Sequence, residues 1–184
     1  MLESIKPIYD DVWDVIKRYW RTYGALKALL LSPYLHASFF IALILFPLWV
    51  NQSWWDLPLT ILPNILGFTL AGFTIWLGFG NDSFRSLISQ SKPNGASPYM
   101  GVSAGFAHFV IVQLLALLAA LFAKAAHSVA FSIVNVEDVY LAVAIASGDF
   151  LGFLLFIYAL LSALAATLGV FRAASWADRH NSSR

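Results

Sequence analysis

The chain has 184 residues, 60% of them hydrophobic, 16% aromatic and only 11% charged, with a formal net charge of +1 and no cysteine. Soluble domains carry about 25% charged residues, so a chain this apolar lacks the polar surface to cover itself in water, and the bilayer is its expected solvent. The near-neutral charge gives no bulk attraction to nucleic acid. The missing cysteines exclude disulfides, thiolate-bound metal and thiol redox chemistry.

The first stretch, MLESIKPIYDDVWDVIKRYWRTYGALKALL, is amphipathic. Ile5, Ile8, Tyr9, Val12, Trp13, Ile16, Tyr19, Trp20 and Tyr23 recur at helical spacing. Asp10, Asp11 and Asp14 precede Lys17, Arg18 and Arg21, which suits the helix dipole and allows an Asp14–Arg18 pair. Residues 1–33 therefore predict an N-terminal arm lying on the cytoplasmic face of the membrane. It either orients the first membrane helix or serves as a landing surface for a soluble protein, with Trp13, Lys17, Arg18 and Arg21 as docking candidates. The arm is too charged for the apolar core of a cleavable signal.

Four charge-poor blocks follow, and about 20 apolar residues suffice for a membrane-spanning helix. They predict spans at about 34–50, 58–80, 102–124 and 148–171, with a short tail over 172–184. Ten of the eleven Lys and Arg fall in the N-terminal arm, the second loop and the tail, leaving Lys124 on the other side. The positive-inside rule then puts both termini in the cytoplasm. The expected fold is an all-α membrane protein, a four-transmembrane-helix bundle over residues 34–171 preceded by an amphipathic interfacial helix. Trp49, Trp54 and Trp55 predict an aromatic belt at the far interface. In the second loop, Asn81 or Asp82 can cap a short helix whose apolar face is Phe84, Leu87 and Ile88, before SKPNGASP breaks it.

The second span carries a small or polar stripe: Asn64, Gly67, Ala71, Thr74 and Gly78. The fourth repeats it with Gly148, Gly152, Ala159, Ser162, Ala166 and Gly169. Such stripes let membrane helices approach closely, so the second, third and fourth spans are expected to form the core and the first to lie at the periphery. More seam is present than one small bundle needs, which points to a homo-oligomer. Around a symmetry axis, Asn64 and Thr74 would line a narrow pore; otherwise the stripe packs within the chain.

Three intramembrane polar residues are candidates for chemistry. Asp149 lies in AVAIASGDFLGFLLF, and the stretch 139–170 is too long for one straight span. A break near Ser147–Gly148 would put Asp149 in the first turn of the last helix, where the dipole favours a negative charge. A buried ion, proton or inter-subunit contact is the alternative. His108 and Gln113 are five positions apart, roughly 140° around a helix, and so do not share one face. No enzyme motif, metal cluster or cofactor loop is present, so the chain is not expected to be an enzyme.

The blocks ALLLSPYLHASFFIALILFPLW and ILPNILGFTLAGFTIWLGFGNDSFRSLI resemble small bacterial four-span membrane proteins of phage-defence operons, the membrane subunit of the Kiwa system among them. The resemblance covers the first half of the chain and implies a bacterial inner-membrane location. It also implies a role in sensing or damaging the membrane during infection, with a soluble cytoplasmic partner. It transfers no functional residue. Three functions follow as expectations: a membrane subunit of a multicomponent antiviral system, an autonomous oligomeric channel or pore, and a small proton- or ion-coupled transporter using Asp149 and His108.

Overall fold

A computed structural model describes residues 2–51, 53–78, 80, 82–90, 95–133 and 139–182. Asn81, Lys92 and Arg184, used above for capping and charge, lie outside the described residues. Among those described, the protein is all-α, with eight helices: α1 (Leu2–Tyr23), α2 (Ala25–Leu30), α3 (Pro33–Ile44), α4 (Phe46–Asn51), α5 (Asp56–Gly78), α6 (Asp82–Ser89), α7 (Pro98–Ile133) and α8 (Val139–Ser182).

Three of these, α5, α7 and α8, are long and apolar enough to cross a membrane, and they pack on one another as the core. The expected first span is different. It divides at Leu45 into α3 and α4, of 12 and 6 residues. Pro47 has no N–H to give the carbonyl four residues back, which favours the break. The Trp49 indole N–H on α4 donates to the Ala42 carbonyl in the last turn of α3 at 2.8 Å, which ties the two pieces together across the break. α3 and α4 lie along α8, with Phe39 and Trp49 both against Phe150.

The last span differs in the opposite sense. α8 runs unbroken for 44 residues from Val139, through Ser147–Gly148, into the expected tail. Glycine inside a helix costs about 1 kcal/mol, whereas each backbone group left unpaired in hydrocarbon costs several. Continuing the helix is therefore the cheaper solution. Asp149 lies ten residues inside α8, not at its N-terminus, and the capping role falls away.

α1 ends where Gly24 takes a left-handed φ of 108°. A Cβ there would stand 2.8 Å from Ala28 Cβ, so both conformation and space call for glycine. The turn folds α1 back against α7. On α1, Asp14 pairs with Lys17 at 3.8 Å rather than with Arg18. Also against the first turns of α7, α6 buries Phe84 and Ile88 beside Trp76, while Leu87 stays exposed.

The α5 stripe requires a second correction. The face that α5 turns to its neighbours carries Pro58, Leu62, Thr69 and Trp76. Asn64, Gly67, Ala71, Thr74 and Gly78 are all exposed and make no intrachain seam. Two positions along a helix is about 200° of rotation, so a stripe offset by two from Leu62 faces directly away. The α8 stripe does the opposite over its middle: Gly152, Ala159, Ser162 and Ala166 are buried, while at its ends Gly148 is exposed and Gly169 half-buried.

Candidate functional site

Polar side chains meet at three depths inside the bundle, and each cluster joins different helices. The first surrounds Asp149, only 7% exposed. Trp54, from the turn before α5, donates its indole N–H to Asp149 Oδ1 at 2.8 Å. His127 Nε2 reaches both carboxylate oxygens, at 3.0 and 2.9 Å. Trp55 covers the His127 ring at a centroid separation of 4.5 Å. Lys124 and Asp56 close the same end with a 3.0 Å pair that is more than half exposed. The indole and imidazole N–H groups thus satisfy a carboxylate that would otherwise be buried without partners. Beside it, a groove of about 540 Å³ runs between α7 and α8, walled by Phe122, Ala123, Ala144, Gly148 and Leu155.

The second cluster lies near mid-bundle. Gln113, with no exposed surface, donates Nε2–H to Thr69 Oγ1 at 3.1 Å. The Thr69 hydroxyl donates onward to the Ile65 carbonyl at 2.9 Å. Gln113 Oε1 is buried with no partner.

The third cluster ties the N-terminal arm to the bundle. His108 is 4% exposed. Its Nδ1 lies 2.8 Å from the Tyr19 hydroxyl and its Nε2 2.9 Å from the Tyr158 hydroxyl. A neutral imidazole donates through one nitrogen and accepts through the other, so one tyrosine gives and the other receives. Tyr23 stacks on the imidazole at 3.8 Å with a 17° tilt.

Asp149 and His108 therefore belong to separate clusters, and His108 and Gln113 do not meet. The four arm residues also divide. Lys17 lies 5.6 Å over the Trp13 ring, and both are exposed. Arg18 and Arg21 instead line a cavity of about 650 Å³ against Ser97 and Met100 at the start of α7. Tyr19, Tyr23, Tyr158, Trp54 and His127 join these sites without having been singled out as site residues in the sequence. Trp54 and His127 lie 95 and 22 positions from Asp149, so no local pattern marks them. Among the described residues no group of three or more His, Cys, Asp or Glu could hold a metal. No family model, curated protein or solved structure matches the chain.

Proposed function

We propose that this protein is a multi-pass subunit of the bacterial inner membrane, a sensor or anchor that carries membrane state to a cytoplasmic partner through its N-terminal arm. The supporting observation is the Tyr19–His108–Tyr158 junction, with Tyr23 stacked on it. It fixes a surface helix to side chains on two core helices, so displacement of one is felt by the other. The outward face of the arm keeps Tyr9, Val12, Trp13 and Ile16 exposed beside Lys17, a patch suited to a soluble protein.

Four crossings fit this reading, with the first built from short pieces. The segment from Tyr19 to Trp54 starts beside His108 and ends beside His127 and Asp149. Those two histidines are 19 positions apart on α7, about 28 Å at 1.5 Å per residue, close to the hydrocarbon thickness of about 30 Å. Both termini are then cytoplasmic, in line with the Lys and Arg asymmetry. The antiviral setting rests on the sequence resemblance alone.

A second reading, self-association into an oligomer or pore, is favoured by the α5 stripe. Its five small or polar residues face outward, and nothing lies within 4 Å of a Cβ placed at Gly67 or Gly78. Transport through Asp149 and His108 together has less support, since the two sit in separate clusters.

The test is a tagged pull-down from mildly solubilised membranes, with intact-mass analysis. A soluble protein in fixed ratio, lost when Trp13 and Lys17 are both replaced by Ala, supports the subunit reading. Recovery of a homo-oligomer alone, with no second protein, contradicts it and leaves the oligomer reading.

A further inference from the structure

The space between α1 and α7 consists of two joined cavities of opposite character. The first, of about 650 Å³, is bordered by Arg18, Arg21, Thr22 and Ser97. The second, of about 340 Å³, continues from it through the shared Arg18, Thr22 and Met100 along Val15, Ala104 and Ala107. Among the described residues no acidic residue borders either one. Among the described residues neither arginine has an ion pair or side-chain hydrogen bond, and Asp14, the nearest acid earlier on α1, is engaged with Lys17.

We infer that these joined cavities bind one anionic phospholipid, its phosphate held by Arg18 and Arg21 and an acyl chain laid along Ala104 and Ala107. Two permanently charged guanidinium groups without a counterion call for an anion, and their planar donor forks match phosphate oxygens. The Thr22 hydroxyl adds a donor. Ser97 already caps α7, its Oγ accepting from the Met100 N–H at 3.2 Å, so the site does not depend on free helix amides. The apolar continuation favours an amphiphile over a free phosphate or nucleotide. A zwitterionic headgroup is disfavoured because, among the described residues, no carboxylate borders the cavities to take its ammonium. Basic pockets beside membrane helices suit anionic headgroups for these reasons. The site rests on the membrane placement proposed above and not on the partner, which would use the Trp13–Lys17 face.

The test is native mass spectrometry of the detergent-purified full chain with phosphatidylglycerol, phosphatidylcholine of matched chain length, and inorganic phosphate. Phosphatidylglycerol should be retained as a one-to-one adduct at concentrations where phosphatidylcholine is not. Arg18→Gln with Arg21→Gln should weaken it about tenfold, to the phosphatidylcholine level. Both arginines are exposed, so the fold should survive, as circular dichroism checks. Ala107→Leu, which narrows the apolar cavity, should weaken the lipid several-fold; Thr22→Val serves if that variant does not fold. Equal retention of both lipids, or indifference to the arginine variant, overturns the site. Full displacement by millimolar phosphate with Ala107→Leu unchanged overturns the lipid and leaves an anion subsite. Partner capture is scored separately: lipid loss in the arginine variant with the partner retained supports both readings, lipid retained by that variant overturns the site alone, and a wild-type chain that keeps the lipid but captures no partner overturns the proposed function alone.

Discussion

The indole of Trp54 fills the space that a side chain on Gly152 would need: a Cβ there would stand 2.7 Å from Trp54 Cζ2. The same indole donates to Asp149, one turn earlier on α8. Glycine at 152 and the carboxylate at 149 thus form one device, a notch and a hook, that fastens the loop before α5 to α8. Gly152→Ala should push Trp54 out and break its bond to Asp149. The expected cost is about 1–3 kcal/mol, as for overpacking in general, read by thermal unfolding in detergent with a shift in tryptophan emission. Unchanged stability and emission would mean that Trp54 does not sit in the notch.

Gln113 and Thr69 make a different prediction. Gln113→Met removes both the single hydrogen bond and the unpartnered Oε1, at similar volume. Interhelical hydrogen bonds in membranes are worth about 0.6 kcal/mol on average, while a buried unsatisfied group costs about 1–3 kcal/mol. The replacement should therefore leave stability unchanged or raise it. Thr69→Val should lower it, because Gln113 then loses its partner while remaining buried. Reversible unfolding of both variants tests the order; a large loss in Gln113→Met would show that Oε1 has a partner of its own.

Asn64→Leu and Gly67→Leu should leave the single-chain fold intact, since both positions are exposed and Gly67 has open space around it. If the outward stripe joins copies, Gly67→Leu should lower the mass seen by light scattering toward that of one chain, and Asn64→Leu should weaken association. An unchanged oligomer would assign the contact to another face, and a monomeric wild type would remove the second reading.

How far the sequence could be read depends on which physical quantity it encodes. The apolar blocks of α5, α7 and α8 are unmistakable because the bilayer demands length and low charge from each segment alone. The break at Leu45 was signalled only by Pro47, which membrane helices often tolerate, so an uncharged run still reads as continuous. The α5 and α8 stripes look alike in sequence yet face opposite ways. Composition marks a smooth face but does not say which neighbour needs it: Trp54 needs the room at Gly152, whereas Trp76 and Thr69 bring the other side of α5 inward. Asp149 stood out as an isolated carboxylate. His127 and Trp54 did not, since a histidine near a helix end and a tryptophan in an interfacial belt have ordinary explanations. The division of the arm into a Trp13–Lys17 face and an Arg18–Arg21 face likewise required α7 beside it.

The account depends most on the arm resting against α7 in the membrane. The chain has no native cysteine, so engineered pairs can be read without background. Thr22→Cys with Ala107→Cys, both bordering the cavity between α1 and α7, should be joined by a short membrane-permeant bismaleimide in intact cells. They should react as efficiently as the control pair Ala123→Cys with Gly148→Cys across the α7–α8 groove. Removing the His108 junction with His108→Leu should slow the first pair and spare the control. Efficient linkage of the control with none between positions 22 and 107 would contradict the docked arm, and with it the coupling on which the proposed function rests.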